Sequence, residues 1–218
     1  MRLIIFDMDG TLIDSVALIV ETVTAAFVAV GEPAPDETAI RSISGITARD
    51  AMAILAPGAT PARIEELTRS YRHQYTSRAG GAREPLFHGA MEALERLRQR
   101  DDTILAVATG KGLQGAVTLL TAHGILDWFH SVETPTDNRG KPDPQMLETA
   151  MRKAGTGTAE TVMIGDTVHD MRMARAGGVG AIGVAWGYHE TVDLEAAGAD
   201  IVITRFEDLD AAIDKLLG

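Results

Sequence analysis

The chain contains no cysteine, which excludes disulfides, thiolate metal sites and a cysteine nucleophile. Lysine is scarce as well: four occur, at positions 111, 141, 153 and 215, and none lies between residues 15 and 82. Basic residues form no run anywhere, and 31 Asp and Glu against 20 Lys and Arg give a formal net charge of −11. Proteins that bind nucleic acid or anionic membranes present a basic face, so neither is an expected partner. No apolar run reaches membrane-spanning length, and the four apolar residues after Met-Arg are too few for a signal peptide. A cytoplasmic protein is the expectation.

The 218 residues, 45% of them hydrophobic, are enough for one large domain or a domain with a smaller companion. Short β-branched apolar runs recur at 2–6, 103–109, 161–165, 180–186 and 201–204. They are continuous rather than alternating, as in strands covered on both faces of a parallel sheet. Helical patterns lie between or after them at 90–100, 112–123, 143–154, 167–176 and 207–217, with Gly124 and Gly155 placed to end two of these. The alternation predicts an α/β fold with a doubly wound, Rossmann-like parallel sheet.

Residues 15–82 break that rhythm. They hold helical patterns and no convincing strand: Val16, Ile19, Val20, Val23, Phe27 and Val30 form one stripe ending at Gly31. Further helices are expected at 36–43, 47–56 and 61–78, the last with Thr60 as N-cap and Pro61 at its first position; Gly80 and Gly81 would close the segment. The expected division is a core of residues 1–14 and 83–218 with an inserted all-helical cap domain, 15–82.

Four motifs carry chemistry. "DMDGTLID" (7–14) places Asp7 and Asp9 just past the end of the first strand, where open parallel sheets bind ligands. Each carboxylate disfavours ionisation of the other, so a cation or a shared proton must compensate. Taken alone, the D-G pair could equally be an Asx turn that ends a strand. "ATGKG" (108–112) supplies the Thr109 hydroxyl and the Gly110 backbone N–H next to a helix start, a cradle for phosphoryl oxygens. "GKPDP" (140–144) holds Lys141 between Gly140 and Pro142, with Asp143 suited to capping the next helix. "GDTVHD" (165–170) puts Asp166 and Asp170 four apart, able to face one point. Four carboxylates converging on one site call for a hard divalent cation with oxygen ligands, and Mg²⁺ fits that donor set.

In this order and context the motifs resemble the four signatures of the haloacid dehalogenase-like hydrolases, along essentially the whole chain. The insertion resembles the small helical cap of the subgroup that contains phosphoglycolate phosphatases. The resemblance implies a Mg²⁺-dependent phosphatase for a small phosphorylated metabolite, a phosphoglycolate-like monoester or pyrophosphate. Asp7 would be the nucleophile and Asp9 the general acid and base. Thr109, Gly110 and Lys141 would stabilise the phosphoryl group. Asp7, the backbone carbonyl of Asp9 and Asp166 would hold Mg²⁺, with Asp170 behind them or acting through water.

Two departures bear on the subgroup. Relatives that cleave carbon–phosphorus bonds, and related hexose-phosphate mutases, use a cap lysine, and this insertion has none. Many relatives carry Asn where Gly110 stands; Gly110-Lys111 resembles the Thr-Asn-Lys pattern of phosphoglycolate phosphatases with its middle residue changed. Gly45, in "SISGITARD" (42–50), resembles the family's substrate-facing loop, with Arg41 or Arg49 available for an anionic substrate unless they pair with Asp50 or Glu37. Tyr71, His73 and Tyr75, and Trp186, Gly187 and Tyr188, are assigned to packing or surface. The alternatives are a phosphoryl transferase or mutase acting on a sugar phosphate, and a non-enzymatic phospho-acceptor resembling a receiver domain. A monomer or a homodimer is expected.

Overall fold

A computed structural model describes residues 1–79 and 84–218. Six strands form one parallel sheet: β1 (Arg2–Phe6), β2 (Thr103–Ala108), β3 (Ser131–Glu133), β4 (Thr161–Gly165), β5 (Gly180–Val184) and β6 (Ile201–Ile203), in the order β3-β2-β1-β4-β5-β6. β1 is central, flanked by β2 and β4, so the order reverses around it. That reversal is a switch point, the place where a crevice opens beyond the strand ends.

Side chains of β1 alternate between the sheet's two faces as a strand requires. Ile4 and Phe6 join α5 (Ala90–Arg98), α6 (Leu113–Ala122) and α10 (Leu209–Leu217) in one core. Leu3 and Ile5 join α7 (Gln145–Ala154), α8 (Val168–Gly177) and α9 (Thr191–Ala197) in the other. Both faces are covered, which is why the strands are apolar throughout.

Between β1 and α5 the chain builds four helices: α1 (Val16–Ala29), α2 (Glu37–Ser42), α3 (Ala48–Leu55) and α4 (Pro61–Ala79). The α1 stripe buries Ile19, Val23 and Phe27 against Ile40, Met52 and Leu67 in a third apolar cluster. The Thr60 hydroxyl caps α4 by accepting from the Arg63 N–H at 3.3 Å. The expected Gly80-Gly81 closure and the boundary at 82/83 lie outside the described residues. The chain leaves and re-enters the sheet layer side by side: Asp14 N–H donates to Pro85 O at 2.8 Å and Phe87 N–H to Leu12 O at 2.9 Å.

Two elements are absent from the expectations above. β3 has only three residues, too short to leave a pattern, and α9 spans seven. The strand expected to reach residue 186 ends at Val184, because Trp186 turns to donate its indole N–H to Thr11 O at 3.0 Å. Among the described residues no helix is long and apolar enough to cross a membrane.

Candidate active site

The residues singled out in the sequence meet beyond the C-terminal ends of β1, β2 and β4. Directly after β1 the chain wraps into a tight turn, with the backbone N–H groups of Thr11, Leu12 and Ile13 all donating to Met8 O. The turn fixes Asp7, which is 1% exposed. Its Oδ1 accepts from the Met8 N–H at 2.7 Å and lies 2.9 Å from Lys141 Nζ, whereas Oδ2 has no partner among the described residues.

Lys141 lies 2.9 Å from Asp7 Oδ1 and 2.6 Å from Asp170 Oδ1, with its side chain fully buried. These are ion pairs by distance, although their angles fall outside hydrogen-bond geometry. Asp170 is held from its other oxygen: Oδ2 accepts from the Thr167 hydroxyl at 2.6 Å and from the Thr167 N–H at 3.1 Å, a capping box at the start of α8. Asp166 is equally constrained, accepting from the Thr11 hydroxyl and the Tyr188 N–H, each at 2.8 Å.

One oxygen each from Asp7, Asp166 and Asp170 lies within 4.8 Å of the others. Three buried carboxylates thus face one ammonium. Burial pushes Asp7 up to about 7 against the pull of Lys141, with Asp170 and Asp9 pushing further. Burial, Asp7 and Asp170 likewise raise Asp166 well above the carboxylate range. Burial opposes charge on Lys141, yet Asp170 and Asp7 hold it above the ordinary lysine range. The all-oxygen donor set and its excess negative charge fit a hard divalent cation such as Mg²⁺.

The Asp9 carboxylate stands apart from this trio. Its Oδ2 lies 3.2 Å from Lys111 Nζ, and Oδ1 is buried without a partner among the described residues. Thr109 is buried at the end of β2, its hydroxyl accepting from the Lys111 N–H at 3.2 Å.

The glycine at 110 has a steric cause. A Cβ there would lie 2.6 Å from Gly45 O and 2.7 Å from Ile46 O. Gly45 itself has φ +87°, and a Cβ on it would approach the Thr167 hydroxyl to 2.9 Å. The loop between α2 and α3 therefore sits directly on the phosphate-cradle segment, in the space a larger residue at 110 would occupy.

Arg49 is exposed, lines the cavity under the helices, and makes no ion pair among the described residues. Arg41 points elsewhere, donating to Gly187 O at 3.2 Å and lying over the Tyr188 ring. The assignment of Trp186, Gly187 and Tyr188 to packing is incomplete: Tyr188 N–H holds Asp166, and a Cβ at Gly187 would come within 2.3 Å of that carboxylate. Tyr71 and Tyr75 line the cavity, and the Lys111 ammonium donates to the Tyr75 hydroxyl at 2.7 Å. No sequence signal pointed to these last contacts.

With the geometry in view, the chain can be compared with known proteins. Residues 4–184 match the family model described as haloacid dehalogenase-like hydrolase. The chain belongs to that family. It is 37% identical to "Probable phosphatase IndB" of Dickeya dadantii, the match covering 99% of this chain and 94% of that protein. It is 32% identical to a phosphoglycolate phosphatase of Agrobacterium fabrum, over 99% and 93% of the two chains. Among solved structures, a hydrolase from Pseudomonas syringae superposes with a TM-score of 0.88 at 28% identity, covering both chains completely. The parallel six-stranded α/β fold is that of a haloacid dehalogenase-like hydrolase.

Proposed function

We propose that this haloacid dehalogenase-like hydrolase is a Mg²⁺-dependent phosphatase of small phosphomonoesters, acting through an aspartyl-phosphate on Asp7, with residues 15–82 as the cap over its site. The observation that carries the reading is the state of Asp7: one oxygen anchored by the Met8 N–H and Lys141, the other buried and without a partner among the described residues. A carboxylate held this way is oriented as a nucleophile rather than spent on a structural ion pair.

Asp7 Oδ2 attacks phosphorus, and the bond from phosphorus to the ester oxygen breaks. Asp9, turned away from the acidic trio, gives its proton to the departing alkoxide. On the return step Asp9 takes a proton from water as that water attacks phosphorus, releasing inorganic phosphate and restoring Asp7. Thr109, the Gly110 N–H and Lys141 stabilise the phosphoryl oxygens, so catalysis is mainly positioning and charge compensation. Asp7, Asp166 and the Asp9 carbonyl would hold Mg²⁺, which when bound neutralises the carboxylates and the phosphoryl oxygens. Asp170 acts through Lys141, fixing the ammonium that Asp7 needs.

The direct test is phosphate release from a panel of phosphomonoesters with Mg²⁺, with EDTA, and with Mg²⁺ restored. Turnover that stops with chelation and returns on re-addition is expected; turnover indifferent to chelation would remove the metal from the reading. A phospho-acceptor would stop after a single phosphorylation, and a mutase would convert sugar phosphates without releasing phosphate.

The cap loop supplies a second test. Gly110→Asn forces its side chain against the Gly45 and Ile46 carbonyls, so the loop must lift from the phosphate cradle. A misplacement of about 1 Å in such a site can cost about 10²-fold in rate. We expect kcat/KM for phosphate release to fall by about that factor with the melting temperature little changed; undiminished activity would show that the loop position is immaterial.

A further inference from the structure

The cavity between Asp9 and the helices encloses about 1270 Å³, at or above the upper end of the range of roughly 300–1,000 Å³ found for small-molecule sites. Its walls include Ile19 and Val23 of α1, Met52 of α3 and Leu119 of α6. These are buried core side chains of their helices, and the half-buried Ile46, Tyr71 and Leu113 over them supply the apolar wall that faces the cavity.

The end nearest Asp9 is polar, and its charges are already committed. Lys111 Nζ lies 3.2 Å from Asp9 Oδ2 and donates to the Tyr75 hydroxyl at 2.7 Å. That hydroxyl donates to Glu84 Oε1 at 2.5 Å. Glu84 is only 6% exposed, lines the cavity, and keeps Oε2 without a partner among the described residues. Among the described residues Asp9 and Glu84 share one ammonium, and when Asp9 carries the proton it gives to the departing oxygen, Glu84 alone balances Lys111, so no uncommitted positive charge is left there for an anionic leaving group. The other cations lining the cavity among the described residues, Arg49 and Arg72, are exposed to solvent.

A short leaving group such as glycolate would bring its carboxylate into this end, next to Asp9. It would find a lysine already shared and a Glu84 oxygen that has no partner among the described residues. Like charges in a partly desolvated site repel strongly, whereas an uncharged apolar body would displace water from the half-buried Ile46, Tyr71 and Leu113.

Building on the phosphatase reading, we infer that the site takes a phosphomonoester of an uncharged, largely apolar alcohol with a ring or body of similar size, and that Glu84 is a specificity residue rejecting short carboxylate leaving groups. In this the chain parts from what the name of its Agrobacterium fabrum relative says that protein hydrolyses.

The test uses primary alkyl esters, so that leaving-group chemistry stays nearly constant: 3-phenylpropyl phosphate, propyl phosphate and phosphoglycolate, each with Mg²⁺. Burying a phenyl ring is worth about tenfold or more in kcat/KM, so 3-phenylpropyl phosphate is expected to exceed propyl phosphate by that factor, with phosphoglycolate lower still. In Glu84→Gln the ratio of phosphoglycolate to propyl phosphate is expected to rise about tenfold, a change that mere loosening of the fold would not produce. Phosphoglycolate equal to or better than 3-phenylpropyl phosphate would overturn the inference while leaving the phosphatase standing. An unchanged ratio in the variant would overturn the role of Glu84. Absence of phosphate release from every ester would overturn the phosphatase reading, and the inference with it.

Discussion

Asp7→Asn is expected to cut phosphate release by about 10⁴-fold or more, while the protein stays folded. Removal of a nucleophile costs on that scale because no neighbouring group can form the covalent intermediate. Asp166 accepts two hydrogen bonds and Asp170 three contacts from Thr167 and Lys141, so neither is free to substitute. The same change removes one of three crowded, buried carboxylates, and the amide keeps the shape. In metal-free buffer the variant is therefore expected to melt at or above the wild-type temperature, the pattern of a site whose charge serves function at the expense of stability. Phosphate release assays and thermal unfolding in EDTA check the two halves. Activity near wild type would mean that another group attacks phosphorus.

Lys141→Met is expected to fail on both counts. It leaves Asp7 and Asp170 buried without the ammonium now 2.9 and 2.6 Å away. Stranding a buried charge in this way costs about 3–5 kcal/mol of stability, read by denaturant or thermal unfolding. Turnover should fall about 10³-fold, the scale seen when a preorganised donor to a developing charge is lost. Millimolar Mg²⁺ should recover part of the lost stability, because a divalent cation among the three carboxylates supplies some of the missing compensation; it should not recover the rate. A variant as stable as wild type without metal would show that the carboxylates are protonated and the lysine dispensable to the fold.

The motifs were legible because each is local. Asp7, Thr109 and Asp166 follow strands whose apolar runs are unmistakable, and a parallel sheet gathers the ends of such strands in one crevice. Lys141 was legible because lysine is so rare here. What escaped was held by contacts that only tertiary packing creates. Tyr75 comes from the exposed-looking helix α4, and Lys111 meets it across 36 residues of chain. Glu84 is a single acid in a connecting segment, and nothing beside it marks it as buried. Tyr188 reaches Asp166 only because β5 lies beside β4. At position 110 the sequence showed only a glycine where many relatives carry Asn; the loop that occupies the side chain's place comes from another part of the chain and has no counterpart in the local pattern. β3, three residues at the sheet edge, was too brief to register.

The joined exit and return of the chain at Ile13 and Leu86, which form an antiparallel bridge, has a consequence for how such proteins diversify. Because the two ends of the helical segment are tied to each other before either reaches the sheet, the sheet sees the same short ladder whatever is spliced between them. Lengthening or exchanging a loop whose ends are already closed adds little entropic cost. The segment can therefore be treated as a cartridge: exchanging residues 15–82 between homologues is expected to exchange the helical side of the cavity while Asp7, eight residues before the splice, keeps its place.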